Sequence, residues 1–523
     1  MSSCVAASLG WLNSKTHGSM KDLIDLTQII TRTKLRSVEL IGNDTGEGTS
    51  KLQEFYNLVS EGSFADDDEA AGHFYGKGKS HPGYQKLRKT LKDRLVNSLF
   101  VIDLKQASYT DRQKAYYEAY KEWAAAKILF GKNARTAAAG LGRKLLKIAH
   151  KYEFTELIVD ISHTLRLYYG TIEGDYKKFQ QYNEDFKIHE QLWIAENRAE
   201  EFFIELSIGF INSKATKSDF KDKALEYYNQ VKDALGQYDS YQLHLCGRLI
   251  EASIYTSVNE YEETLDVCNR AIAFFEKKDF IARVPLQVFL YQKFVCHVQL
   301  RQFEEAMAAA EACLPYLEEG AFNWFKVYEL YFMLYTHSGQ YEQAEDILAR
   351  IMAHPRFGDL PENVQETWKI SEAYLYFLGC TGHLPAKEAE EEEGRRFRLS
   401  RFLNEMQVFS KDKQGMNIAI VIIEILMGIA QGKYDELIDR VEAVDKYRSR
   451  YLKEEEVVRA NHFLRMLLQI PKNAFRREEA VAKAQEDRLA LEAIPIEMAN
   501  QTHEIEIIPY EKLWEIVLEI LPD

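Results

Sequence analysis

Between Tyr241 and Pro355 the chain repeats one pattern three times: a helix-length apolar segment, a short polar turn, an aromatic residue, and a second helix with small or apolar residues at fixed spacing. The turns read Asn259-Glu260-Tyr261, Arg301-Gln302-Phe303 and Gly339-Gln340-Tyr341. After each aromatic come Thr264, Cys268 and Ala271; Ala306, Ala310 and Cys313; or Ala344, Leu348 and Ile351. Offsets of 3, 7 and 10 from the aromatic stay on one face of an α-helix, so each set predicts a single buried stripe. Small side chains there let neighbouring helices approach, with the aromatic plugging the gap at the turn.

The same helical period extends outward. Apolar positions predict a helix over 20–35, a short strand over 36–41 and a glycine-rich loop over 42–48. A helix capped by Thr49 or Ser50 follows, then one opening on Asp66-Asp67-Asp68-Glu69, where the helix dipole favours acidic side chains. A long helix runs from Tyr84 to about Phe100. Paired helices begin near Asp111, at 113–130, 134–150 and 154–169. Aromatic anchors then fall at 176, 220, 261, 303 and 341, in steps of 44, 41, 42 and 38, with another at Tyr434. Ile418–Ala430 is apolar but only thirteen residues long, which predicts a buried helix, because a membrane span needs about 20 apolar residues. A helix ending before Pro471 and a final helix sealed by Trp514 and Leu518 close the pattern.

These hairpins, with their turn aromatics and alanine-spaced second helices, resemble the tetratricopeptide repeat family, although the steps exceed the roughly 34 residues of its standard unit. The whole-chain pattern also resembles uncharacterised repeat proteins of similar length from Bacteroidota bacteria. The resemblance implies an all-α, helical-hairpin solenoid. The expected organisation is a disordered tail over 1–19, a small, mainly helical domain over 20–110 with a basic last helix, repeats over 111–470, and capping helices over 471–523.

A net charge of −15 over 523 residues argues against a surface that grips nucleic acid or anionic lipid everywhere. One segment reverses the sign. From 77 to 94 there are seven basic residues, including Lys86, Arg88, Lys89 and Lys92, against Asp93 alone. The acidic-then-basic run from 388 to 401 interrupts the repeats and reads as a solvated helix or loop. None of the six cysteines forms a C-x-x-C pair, and four lie at apolar helix positions, so they are expected as reduced core residues of a cytoplasmic protein.

Candidate chemistry is sparse. Gly78-Lys79-Ser80 lacks the leading glycine of a phosphate-binding loop, since His73 occupies that place. His189-Glu190 has no second histidine four residues after His189, and no Gly-x-Ser-x-Gly elbow occurs. No enzymatic activity, metal or cofactor is expected. Counting back from Phe303 and Tyr341, the groove positions of the resembled family fall at Val288, Tyr291 and Val295, and at Lys326, Glu329 and Met333. Only Lys326 fits that family's carboxylate clamp.

The expected function is thus a scaffold or adaptor without catalysis or membrane association. Its concave face over 240–355 would hold a protein or peptide segment through Tyr291, Lys326, Glu329 and Met333. The alternative is a regulator whose N-terminal domain binds DNA through Lys86, Arg88, Lys89 and Lys92, with the repeats sensing a partner.

Overall fold

The computed structural model describes residues 20–32, 50–101, 110–212, 217–385, 402, 416–452, 458–494 and 506–522. The tail at 1–19, the strand and loop expected over 36–48, and the charge run at 388–401 lie outside the described residues. Among those described, all regular structure is helical. No helix among them is long and apolar enough to cross a membrane.

Two units divide the chain. The N-terminal unit runs to Asn197 and includes Lys278–Ile281. It holds α1 (Lys21–Arg32), α2 (Lys51–Ser60), α3 (Asp67–Tyr75), α4 (Pro82–Ser98), α5 (Asp111–Gly131), α6 (Arg135–Tyr152), α7 (Thr155–Tyr168) and most of α8 (Tyr176–Asn212). One core gathers Leu23, Phe55, Tyr84 and Leu91 from α1, α2 and α4; another gathers Trp123, Leu145, Ile161 and Tyr182 from α5 to α8. Local signals set the helix starts. Ser50 accepts the Gln53 N–H, Asp66 accepts those of Asp68 and Glu69, and Thr110 forms a reciprocal cap with Gln113. Residues 278–281 belong here through Lys278, whose ammonium sits 2.8 Å from Glu153, and Phe280, which packs on Tyr152.

The C-terminal unit, Arg198–Lys277 with Ala282 onward, carries α9 (Lys217–Gln237), α10 (Tyr241–Thr256), α11 (Tyr261–Glu276), α12 (Arg283–Gln299), α13 (Phe303–Cys313), α14 (Phe322–His337) and α15 (Tyr341–Met352). It continues with α16 (Glu362–Cys380), α17 (Met416–Ala430), α18 (Tyr434–Tyr451), α19 (Val458–Lys472), α20 (Arg477–Glu492) and α21 (Tyr510–Ile520). From α9 to α16 each helix packs on the next, and so do α16 to α20; α12 also touches α14, and α17 touches α19.

The three second helices α11, α13 and α15 begin at Tyr261, Phe303 and Tyr341, and every residue of the three expected stripes is buried. Each turn puts the residue two before the aromatic in the left-handed region: Asn259 at φ 62°, Arg301 at 57° and Gly339 at 75°. Tyr341 is buried, whereas Tyr261 and Phe303 are only half-buried, so the plugging role is complete at one turn of the three. Close approach elsewhere uses glycine: a Cβ at Gly247 of α10 would lie 2.8 Å from Leu235 of α9. The apolar α17 is buried as expected, with Ile422, Ile423, Leu426 and Met427 fully covered. Pro471 does not end the preceding helix; it lies in the last turn of α19, which runs one residue further.

Candidate functional site

The four groove residues expected on the repeats separate by accessibility. Met333 is buried, at 7% exposure, and Val288 and Val295 beside Tyr291 are buried as well. Helix α12 is covered nearly all round, which is why an apolar groove read from its side chains becomes core. Tyr291 is half-buried, and the Lys326 ammonium binds both Glu329 oxygens at 2.7 Å one turn along α14. The accessible remainder of that surface is therefore Tyr291 and the Lys326–Glu329 pair.

On α4 the basic residues also split. Arg88 donates to Asp67 at 3.0 Å and to Asp22 at 2.7 Å, and Lys92 binds the other oxygen of Asp22 at 2.6 Å. Asp67, expected at the helix start for its charge, is instead turned inward and also accepts the Tyr84 hydroxyl. Arg88 and Lys92 thus tie α4 to α1 and α3, while Lys86 and Lys89 are exposed.

Two features of the N-terminal unit went unread in the sequence. The first is a cleft of about 440 Å³ at the corner between α7 and α8. Here α7 does not stop at Tyr168 but loosens into a π-helical turn over Tyr169–Glu173, a form frequent at functional sites. Gly174, at φ 64°, then ends the turn, and Asp175 caps α8 by accepting the Lys178 N–H. His163, Arg166 and Leu167 line the cleft from α7, and Tyr176 and Phe179 from α8. Gly170 admits the Phe179 ring, which a Cβ there would meet at 3.0 Å. Leu167 is 56% and Tyr176 69% exposed, so apolar surface stays open at this concavity. Arg166 lies over the Phe186 ring, 3.7 Å from its centroid, and donates one N–H to Asn183.

The second feature joins α6 to α8. Asp185 and His189 stand one helical turn apart on α8, and His150 comes from the end of α6. His150 Nε2 lies 3.2 Å from Asp185 Oδ2, and His189 Nδ1 lies 3.1 Å from Oδ1. Ser162 of α7 donates its hydroxyl to Oδ2 at 2.8 Å. Burial opposes the Asp185 charge, but hydrogen bonds from His150, His189 and Ser162 outweigh it and hold the carboxyl well below the usual range. Burial would also lower His189, yet its contacts with Asp185 prevail and raise it. No histidine stands four residues after His189; its partner on that face is Asp185, four before. His150 is 35 residues away from Asp185 and only the hairpin brings it in.

No family model, no curated protein and no solved structure matches this chain.

Proposed function

We propose that the protein is a non-enzymatic scaffold or adaptor, built on tetratricopeptide-like helical repeats, that holds a protein segment. The observation that carries this reading is the α7–α8 cleft, where Leu167 and Tyr176 leave apolar surface open around a concavity flanked by Arg166. Contiguous exposed apolar surface rimmed by polar groups is the property of an interaction site. Its chemistry selects a segment with an apolar side chain to lie among Leu167, Tyr176 and Phe179 and a carboxylate to meet the Arg166 guanidinium, which carries five N–H donors. The repeat reading draws support from α11, α13 and α15, which bury the same positions after the same left-handed turn. Such stacking gives an extended frame in which each hairpin is supported by its neighbours.

A peptide-display selection against the full chain, followed by fluorescence anisotropy of enriched peptides, tests the assignment. Peptides pairing an apolar residue with an acidic one should emerge and lose about tenfold or more in affinity on Leu167→Asp or Tyr176→Ala. Lys326→Ala should leave them unchanged. Absence of any enriched peptide overturns the adaptor reading, and loss confined to Lys326→Ala overturns the cleft in favour of the α14 surface. Nucleic acid that co-purifies, and is released by salt or by replacing Lys86 and Lys89, would favour the DNA-binding alternative, since phosphate contacts weaken steeply with salt.

A further inference from the structure

We infer that His150, Asp185 and His189 form a binding site for a divalent first-row transition-metal ion, with Zn²⁺ as the fitting occupant. One donor atom from each residue lies within 4.8 Å of the other two, so a single ion can reach all three. Two imidazoles and one carboxylate are the donor set that suits zinc and its neighbours, whereas calcium and magnesium call for oxygen ligands alone.

The distances suit a shared ion as well as a hydrogen bond. A charge-assisted N–H···O bond is typically about 2.7–2.9 Å long. The two histidine–carboxylate contacts are 3.2 and 3.1 Å. Ligands about 2.0 Å from a tetrahedral zinc are separated by roughly 3.3 Å, and each histidine nitrogen stands near that separation from one carboxylate oxygen, His150 Nε2 from Oδ2 and His189 Nδ1 from Oδ1. The two imidazole rings lie 5.0 Å apart, and a metal ion would bind both in their neutral form.

The surroundings resemble those of a held ligand. Ser162 donates to the oxygen of Asp185 that faces His150, the kind of outer hydrogen bond that fixes a coordinating carboxylate. His189 Nδ1 also lies 2.9 Å from the Asp185 carbonyl oxygen, a hydrogen bond that an ion on Nδ1 would replace. Asp185 and His189 side chains are about four-fifths covered, while His150 is 41% exposed. An ion can therefore enter from the His150 side, and a water can complete a four-coordinate shell there. Bound metal would clip the end of α6 to the first half of α8. This inference is independent of the adaptor reading.

Zn²⁺ titration by calorimetry on the chelator-treated full chain, with Co²⁺ as a spectroscopic probe of geometry, tests the site. The expected result is a Zn²⁺ equivalent bound with micromolar or tighter affinity and visible Co²⁺ bands of low coordination number. His150→Ala should weaken this binding by about tenfold or more and abolish the Zn²⁺-dependent rise in melting temperature. Because His150 is half in solvent, that variant should fold, and helical circular dichroism checks that it does. His73→Ala, exposed on α3 and outside both the cluster and the cleft, should bind as the wild type does. No binding at high-micromolar Zn²⁺, or binding that survives His150→Ala unchanged, overturns the proposal and leaves the cluster as a salt-bridge network.

Discussion

Arg459 and Glu506 meet as a buried two-pronged pair, Nε to Oε2 and Nη2 to Oε1, each at 2.9 Å, with the residues 6% and 2% exposed. The guanidinium also donates to Glu511 and to the carbonyls of Leu491 and Ile494, while Glu506 accepts the Tyr510 N–H at the start of α21. Burial works against the Arg459 charge, but Glu506 and Glu511 outweigh it and hold the group firmly cationic. One side chain thus fastens α19 to the segment that leads into the last helix.

Breaking that pair from one side should be costly. Arg459→Met keeps much of the volume but strands a buried carboxylate, and should destabilise the C-terminal unit by about 3–5 kcal/mol. Adding Glu506→Leu should recover part of the loss, because the fully buried carboxylate is then gone and Glu511, also freed of Arg459, still reaches solvent. Urea unfolding of the two single variants and the double variant measures the coupling.

Acid should weaken the same region through His337. Its Nε2 lies 2.6 Å from the Glu506 carbonyl oxygen, and burial, reinforced by nearby Arg459 and Arg301, pushes its pKa down to about 4. The folded value lies below the unfolded one, so the unfolded chain binds the extra proton. The neutral histidine's stabilisation is complete above the unfolded value near 6.5 and is lost as pH falls from there toward 4, amounting to roughly 3 kcal/mol at the acid end. His337→Gln retains a donor without the titration. Its unfolding free energy should fall less steeply across that window than the wild type's.

The left-handed turns differ in strain. Arg301 holds φ 57° with a side chain, whereas Gly339 holds 75° without one. Arg301→Gly should therefore stabilise the protein by about 1 kcal/mol, and Gly339→Ala should cost a similar amount. Asn259→Gly should change less, since asparagine tolerates this region and its Oδ1 accepts the Tyr261 hydroxyl. Denaturant midpoints of the three variants decide the order.

Thiol reactivity should single out one described cysteine. Cys246, Cys268, Cys296 and Cys313 are buried, and Cys380 is exposed. Burial pushes the Cys296 thiol up to about 12 and Cys268 well above its ordinary value, so neither supplies thiolate near neutrality. Alkylation followed by peptide mapping should modify Cys380 under native conditions and the other four only after unfolding.

The helices and their starts were legible because their causes are local. Tyr261, Phe303 and Tyr341 opened their helices where the spacing placed them, and the small residues at the expected offsets are buried. Ser50 capped α2 for the same reason. Groove residues were harder to read. A side chain such as Met333 carries the same signal whether an inner helix faces a ligand or another helix, and only packing showed it buried. The basic run on α4 was likewise visible as charge, but Asp22, 66 residues before Arg88, was not visible as its partner.

Sequence alone was enough for the helical class of the described residues, the short polar turns before the aromatics, the buried faces of the second helices and the covered positions of most cysteines, because helix period and turn chemistry act over a few residues. Tertiary structure alone decided which charges are consumed internally, where open apolar surface remains, and that His150 meets Asp185 and His189. Those relationships depend on how separate helices approach, and a distance of about 3 Å between donors on different helices is set by every packed side chain between them.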